Sequence, residues 1–348
     1  MYNKEIISQL FTNFAERECK NSSELYEYLA LKISKDEEIL ELCMTARNGQ
    51  PIPNLLFGAV HYLLLKMNEH QLKNFYPSLV SNPQNPYEAF DDFKDFCLIH
   101  KEAIRHLLEN KLVQTNEVRR CAYLYPVFSC INEKTKKPLA LIEIGTSAGL
   151  QLLWDQYSYS YNTDEVVGNL DSKLHITSEI IGDNIPYFSK TSPFVTTRIG
   201  IDLNTIDLQN EEEYLWLKSL IWPEHKERLN MFEKAAHYLK NNSVQLIEGD
   251  GVELLNEYVN NVPMENTVCI FHTHVANQMP KETKESLLTT IEAIGKNRDV
   301  FHIYNNIQDR FLHLDSYVNG VAHKQTIAET EGHGRWFKWL IKDAIKTQ

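Results

Sequence analysis

Leu139-Ala-Leu-Ile-Glu-Ile-Gly-Thr-Ser-Ala-Gly-Leu-Gln-Leu-Leu-Trp154 reads as a buried strand running into a glycine-containing turn. The apolar run Leu139–Ile144 carries one carboxylate, Glu143, near its end. Gly145, Thr146, Ser147, Ala148 and Gly149 make the turn, and Leu150, Leu152, Leu153 and Trp154 are expected to begin an amphipathic helix. Strand, turn and helix in this order form a nucleotide-type crevice, because glycine lets the backbone approach a ligand and helix N–H groups face it. An acid just before the first glycine suits a ligand with a positive amine better than a pyrophosphate. The expected cofactor is therefore S-adenosylmethionine.

The same five residues also spell G-x-S-x-G, the nucleophile elbow of serine hydrolases, in a strand-turn-helix context. In those enzymes the elbow follows several earlier strands, one of which supplies an oxyanion loop. Residues 1–133 read as helices, so the turn follows the first strand of the sheet, where a methyltransferase keeps its cofactor loop. A serine hydrolase using Ser147 is the first alternative. A non-catalytic module that binds a nucleotide-like ligand is the second.

Composition narrows the partners. A chain of 348 residues is long for a single core, so two domains are expected. The net charge of −12 opposes an extended nucleic-acid surface and favours a small-molecule substrate. The six cysteines contain no C-x-x-C pair and sit in apolar contexts, which reads as free thiols in a reducing compartment. The N-terminus lacks a basic region followed by a long apolar core, and Leu55–Leu65 is interrupted by His61 and too short for a bilayer. A cytoplasmic protein with no membrane segment is expected.

The pattern changes near residue 135. In 1–135, expected to form a helical domain, Leu55, Leu56, Ala59, Val60, Leu63, Leu64 and Met67 mark one helix face. Phe90, Phe93, Cys97, Ile104, Leu107 and Leu108 mark another, and the polar run 132–138 is a plausible hinge. In 136–348, strand candidates at 139–144, 195–202, 243–248, 267–272 and 299–304 alternate with helix candidates at 147–157, 212–239, 251–260 and 281–294. Asn319-Gly320 between Phe311–Val318 and Val321–Ala328 signals a hairpin. This is an α/β domain with a Rossmann-like sheet of the class I methyltransferase type, its parallel strands closed by an antiparallel hairpin.

The cofactor reading asks for an acid at the second and third strand ends. Asp202, followed by Leu203 and Asn204, is placed to accept ribose hydroxyls, and Asp250-Gly251 to face the adenine. Each Asp can instead be a helix cap. Glu143 and Asp202 lie much farther apart than the usual separation of about 20 residues. Residues 158–194, rich in tyrosine, must then be an insertion.

Gln114-Thr-Asn-Glu-Val-Arg-Arg120, Glu143 to Asp155, Gly200-Ile-Asp-Leu-Asn204, Ile221-Trp-Pro-Glu-His225 with Arg228, and His333-Gly-Arg-Trp336 occur in this order. Together they resemble the signature blocks of the bacterial family called domain of unknown function 2332, over nearly the whole chain. The resemblance implies a second half similar to S-adenosylmethionine-dependent methyltransferases. The family commonly has Asn at the position of Gln151 and Pro at that of Thr205, departures that leave the three acids untouched. It favours reading Gln114, Asn116, Glu117 and Arg120 as a wall of the substrate pocket on a helical lid, over a simple helix start. Trp222, His225 and His333 join the substrate side on the same grounds, although the first two also suit a helix start and Trp336 the core.

Phe271-His272-Thr273-His274 ends the fourth strand, where the group facing a methyl acceptor is expected. His272 and His274 alternate to one side of a strand, so both are expected to see the crevice. No third ligand at metal-binding spacing is identifiable, so no metal is expected. His272 or Glu117 is the expected base, with His274 on the substrate.

Overall fold

The computed structural model describes residues 3–67, 69–163 and 165–342. Its α-helices are α1 (Lys4–Phe14), α2 (Glu24–Ile33), α3 (Glu37–Cys43), α4 (Ile52–Met67), α5 (Phe90–Ile99), α6 (Lys101–Asn110), α7 (Cys121–Thr135), α8 (Glu211–Ser219), α9 (Lys226–Leu239), α10 (Gly251–Asn260) and α11 (Lys281–Gly295). The strands are β1 (Leu139–Ile144), β2 (Ser158–Tyr161), β3 (Val166–Gly168), β4 (His175–Ile180), β5 (Val195–Asp202), β6 (Gln245–Glu248), β7 (Thr267–His272), β8 (Val300–Tyr304), β9 (Leu312–Val318), β10 (Val321–Thr330) and β11 (Trp336–Trp339). Two compact units result: Met1–Thr115 with Gln209–Asn230, and Asn116–Leu208 with Met231–Gln348. The polar run 132–138 lies within the second, between α7 and β1.

The first unit is helical. α4 is mostly apolar and buried at every position from Leu55 to Leu64, as a helix at the centre of a core must be. Phe57 stacks on Tyr26 at 4.1 Å and on Phe14 at 5.8 Å. A Cβ at Gly58 would come within 2.7 Å of Leu220, so the glycine lets the end of α8 approach α4. His61 is a satisfied core residue, its Nδ1 3.0 Å from the Ser219 carbonyl and its Nε2 2.9 Å from Ser78. The apolar face expected over 90–108 is divided between α5 and α6, because His100 leaves helical geometry at φ −103 and ψ 23.

The second unit is a mixed α/β structure around an 11-stranded, mostly parallel sheet. The order is β3-β2-β4-β11-β10-β9-β8-β7-β1-β5-β6. β6, β5, β1, β7 and β8 are parallel to one another, β9 runs antiparallel to β8, and β10 antiparallel to β9. All residues of β1 are buried, which explains its apolar run, interrupted by Glu143 alone. Ala140, Ile142, Ile144, Val268 and Ile270 share one core with Leu255 of α10 and Leu287 and Ile291 of α11. On the other face Phe271 meets Phe128 of α7 at 5.4 Å. Among the described residues no strand precedes β1.

The hairpin forms as expected, with Asn319 at φ 52 and Gly320 at φ 75. Positive φ at both central residues is the condition for a tight two-residue turn that matches strand twist. Residues 158–194 form three further strands, and β4 reaches the sheet by pairing with β11, Phe337 opposite Ile180.

Two elements differ from expectation. Residues 212–239 form two helices, α8 and α9, separated around Pro223. Leu150–Gln156 is a 3₁₀ stretch, bent at Leu153, in place of an amphipathic α-helix. Leu150 to Asp155 are all buried, with Trp154 stacked on Phe128 at 4.6 Å and the Tyr157 hydroxyl donating to the Leu150 carbonyl over 2.9 Å. With no solvent-facing side to satisfy, the segment forms a tight plug and passes directly into β2.

Candidate functional site

The turn after β1 sits at the carboxyl end of the sheet, where ligands bind in open parallel α/β structures. Gly145 has φ 73, and a Cβ there would come within 2.5 Å of Val275. Ser147 also adopts the left-handed region, at φ 51. Its N–H donates to Asp202 Oδ2 over 2.8 Å, and its hydroxyl accepts from Asn116 Nδ2 over 2.8 Å. Asn116 Oδ1 in turn accepts from the Ala148 N–H over 3.3 Å, and the Gly149 N–H donates to the Thr146 carbonyl over 2.9 Å. Asn116 and Asp202 thus clasp the turn through opposite partners.

Glu143 is buried and accepts from the Thr146 hydroxyl over 2.6 Å. Burial pushes its carboxyl up to about 8; the Thr146 hydrogen bond and the Arg120 charge oppose this, and the Asp202 charge adds to it. Asp202 is likewise raised by burial, against backbone hydrogen bonds that include Asn204 N–H at 3.0 Å. Each Asp202 oxygen accepts one backbone N–H in the bonds described and keeps further acceptor capacity. Leu203 is 75% exposed at the mouth of this strand end. Asp250 caps α10 through Oδ1, which accepts from Val252 N–H at 2.7 Å and Glu253 N–H at 3.3 Å. Gly251 permits α10 to touch β1, since a Cβ there would lie 2.7 Å from Ile144 Cγ2.

A second polar group adjoins the turn. Gln114 belongs to the first unit, whereas Asn116, Glu117, Arg119 and Arg120 open the second. Glu117 is buried, with Oε2 3.0 Å from His333 Nδ1 and Oε1 accepting from the Arg119 N–H over 3.3 Å. Arg120 donates through Nε to the Gly332 carbonyl over 2.9 Å and through Nη1 to the Thr273 carbonyl and hydroxyl, each at 3.4 Å. Gln151 links the pieces, donating to the Glu117 carbonyl over 3.4 Å and accepting from Thr273 over 3.0 Å. Gly334 is required by packing, because a Cβ would come within 2.7 Å of the Arg119 carbonyl. Residues 116–120, 143–151 and 332–334, far apart in sequence, therefore meet. Gln151, Thr273 and Gly332 were not expected as site residues; their only signal is membership of, or proximity to, the polar blocks.

His272 lies elsewhere. Glu143 and Phe271 are register partners, so their side chains share a face and His272 points to the other. Its ring is fully buried near His302 (5.3 Å) and Tyr304 (6.0 Å). His274 does not continue the strand: it has φ 65, and its N–H donates to Asn305 Oδ1 over 2.8 Å. Its ring stands beside Gly332, and burial pushes it down to about 4, with the charges of Arg120 and His333 adding. The structure thus groups Asn116, Glu117, Arg120, Glu143, Ser147, Asp202, His274 and His333, and puts His272 on the opposite face of the sheet.

Trp222 and His225 belong to the first unit. Trp222 donates to Asn54 Oδ1 over 3.3 Å, and the His225 ring stacks on it at 5.2 Å and meets Ser22 at 3.0 Å. Between them Glu224 accepts from Ser23 and the Leu25 N–H, at 2.8 and 3.0 Å, holding the start of α2. Among the described residues no group of three or more His, Cys, Asp or Glu is placed to hold a metal. All six cysteines are buried and unpaired. No described helix is long and apolar enough to cross a membrane.

Fold and site define a mixed α/β protein with a polar centre at the carboxyl ends of its parallel strands. The chain belongs to the family described as "Uncharacterized protein conserved in bacteria (DUF2332)", whose model matches residues 8–339. No curated protein and no solved structure matches it.

Proposed function

We propose that this chain is an S-adenosylmethionine-dependent methyltransferase acting on a small molecule, with a second half of the class I methyltransferase kind. One observation carries the reading: β6-β5-β1-β7-β8 stand in the third-second-first-fourth-fifth order of doubly wound sheets. The glycine turn follows the first of these strands, at the switch point, and Asp202 ends its neighbour.

The donor set fits an aminoacyl nucleoside. Asp202 has acceptor capacity for ribose hydroxyls, and Asp250 Oδ2 has no hydrogen-bond partner among the described residues. Glu143 offers a buried carboxyl for an ammonium group, and the turn from Gly145 to Gly149, with Thr146, Ser147 and Ala148, would support the chain between. Leu203, Asn204 and Gly251 would flank it. The 3₁₀ stretch Leu150–Gln156 is too short to act as a helix terminus, so binding rests on side chains and turn. When bound, the cofactor supplies an electrophilic methyl group. The chain's own contribution is alignment, exclusion of water and removal of an acceptor proton.

The left-handed Ser147 within G-x-S-x-G favours a hydrolase as the second reading. Against it, the hydroxyl is bonded to the Asn116 amide, which cannot take a proton as a catalytic base must. Calorimetry with millimolar S-adenosylhomocysteine tests the first reading: the wild type should bind and Asp202→Ala should not. Absence of wild-type binding overturns it, and covalent labelling of Ser147 by a fluorophosphonate supports the hydrolase.

A further inference from the structure

We infer that His333, oriented by Glu117, is the general base that deprotonates the methyl acceptor, and that Arg120 holds an anionic group, carboxylate or phosphate, on that acceptor. The inference rests on the methyltransferase reading above.

The carboxylate–imidazole pair has the geometry of an oriented base. Glu117 is 2% exposed in its side chain, whereas His333 is 44% exposed. Glu117 Oε1 accepts the Arg119 N–H, and Oε2 lies 3.0 Å from His333 Nδ1, placed to accept its proton. That bond fixes the ring and leaves Nε2, which has no hydrogen-bond partner among the described residues, as the lone-pair nitrogen. A buried acid behind a half-exposed imidazole is how a histidine is held ready to take a proton. His272, on the other face of the sheet and fully buried, has no such access.

Arg120 supplies the specificity. It is 8% exposed, and its described hydrogen bonds go to the neutral Gly332 and Thr273 oxygens. No ion pair to it occurs among the described residues, and its Nη2 has no partner there. A buried guanidinium ordinarily faces a carboxylate or phosphate. Glu143 is near enough for its carboxyl to feel the Arg120 charge, but its described hydrogen bond goes to the Thr146 hydroxyl and no described ion pair joins it to Arg120. An anion arriving with the substrate completes the pair. The acceptor is thus a small acid carrying a hydroxyl or N–H. Its proton passes to His333 Nε2 while its lone pair forms the bond to the methyl carbon. The C–S electron pair stays on the departing thioether sulfur, and His333 then releases the proton to solvent.

Nitrogen-15 NMR of the histidine rings tests this, with His333 assigned by its loss in His333→Asn. Wild-type His333 should show an unprotonated Nε2 in its neutral form, and Glu117→Gln should convert it to a tautomer mixture. Acetate and inorganic phosphate, as probes of the two acid classes, should shift the His333 signals in the wild type but not in Arg120→Gln. S-adenosylhomocysteine affinity should stay within about threefold in Arg120→Gln and His333→Asn. A wild-type ring protonated at Nε2 overturns the base assignment whether or not the Glu117 variant folds. Failure of both anions, or loss of more than about tenfold in S-adenosylhomocysteine affinity in Arg120→Gln, overturns the Arg120 assignment, the latter by giving Arg120 to the cofactor's own carboxylate. If S-adenosylhomocysteine fails to bind the wild type while the anions still shift His333, the methyltransferase reading falls and the anion site stands.

Discussion

Asn116 holds Ser147 by its hydroxyl and the next residue by its backbone, with Nδ2 2.8 Å from Ser147 Oγ and Oδ1 3.3 Å from the Ala148 N–H. This clasp keeps Ser147 in a left-handed conformation, which costs a residue with a Cβ about 1–2 kcal/mol. The serine therefore reads as part of the turn's architecture.

Two substitutions separate backbone strain from side-chain chemistry. Ser147→Ala loses the hydroxyl and keeps the strain, whereas Ser147→Gly loses both. Denaturant titration should find the glycine variant more stable than the alanine variant by roughly 1 kcal/mol. Ser147→Ala should keep S-adenosylhomocysteine affinity within about tenfold, or roughly 1.4 kcal/mol. Equal stabilities would remove the strain argument.

Much of the sheet was legible because its parallel strands are rich in apolar and β-branched residues: β1, β5 and β7 coincide with the runs 139–144, 195–202 and 267–272. Asn319-Gly320 marked its hairpin because so few residue pairs tolerate two positive φ angles. The 3₁₀ stretch was not legible, since Leu150, Leu152, Leu153 and Trp154 over so short a run do not tell one kind of helix from another. Nor was the site's full composition. His333 meets Glu117 across 216 residues of chain, and no local pattern announces such a contact. The position of His272 followed from strand alternation only once the Glu143–Phe271 register was known.

That histidine makes an acid-sensitive point. None of the ring nitrogens of His272 and His302 has a partner among the described residues, and both rings are fully buried. Burial, with the Lys284 charge adding, pushes His272 down to about 3, and burial takes His302 well below its ordinary range, with the charges of His272, His313 and Lys324 adding. In the unfolded chain each protonates near 6.5, so below that pH the unfolded state binds more protons. Their contribution is complete above pH 6.5 and is lost as the pH falls toward 3. For His272 the loss at pH 5 is roughly 2 kcal/mol. His272→Leu, which matches the ring's bulk, should lose correspondingly less stability between pH 7 and pH 5 in urea titrations. The same loss in both proteins would show that His272 can be protonated in place.

Glu143 works in the opposite direction. Its carboxyl is raised from 4.5 to about 8, chiefly by burial. A raised carboxyl contributes fully below pH 4.5, and that contribution is lost as the pH rises through 8, because the unfolded chain releases its proton first. At pH 7 the loss is on the order of 3 kcal/mol. Glu143→Gln keeps an acceptor for the Thr146 hydroxyl without the ionisation. It should therefore flatten the decline in melting temperature between pH 5 and pH 9. The same protonation gives a signature in binding. A ligand ammonium favours the carboxylate, so a ligand that engages Glu143 near pH 7 must expel its proton to the buffer. S-adenosylhomocysteine binding should then show calorimetric enthalpies that differ between buffers of low and high ionisation heat, and the difference should vanish in Glu143→Gln. A binding enthalpy independent of buffer in the wild type would mean that the amine is held elsewhere, and that Glu143 is a neutral member of the turn.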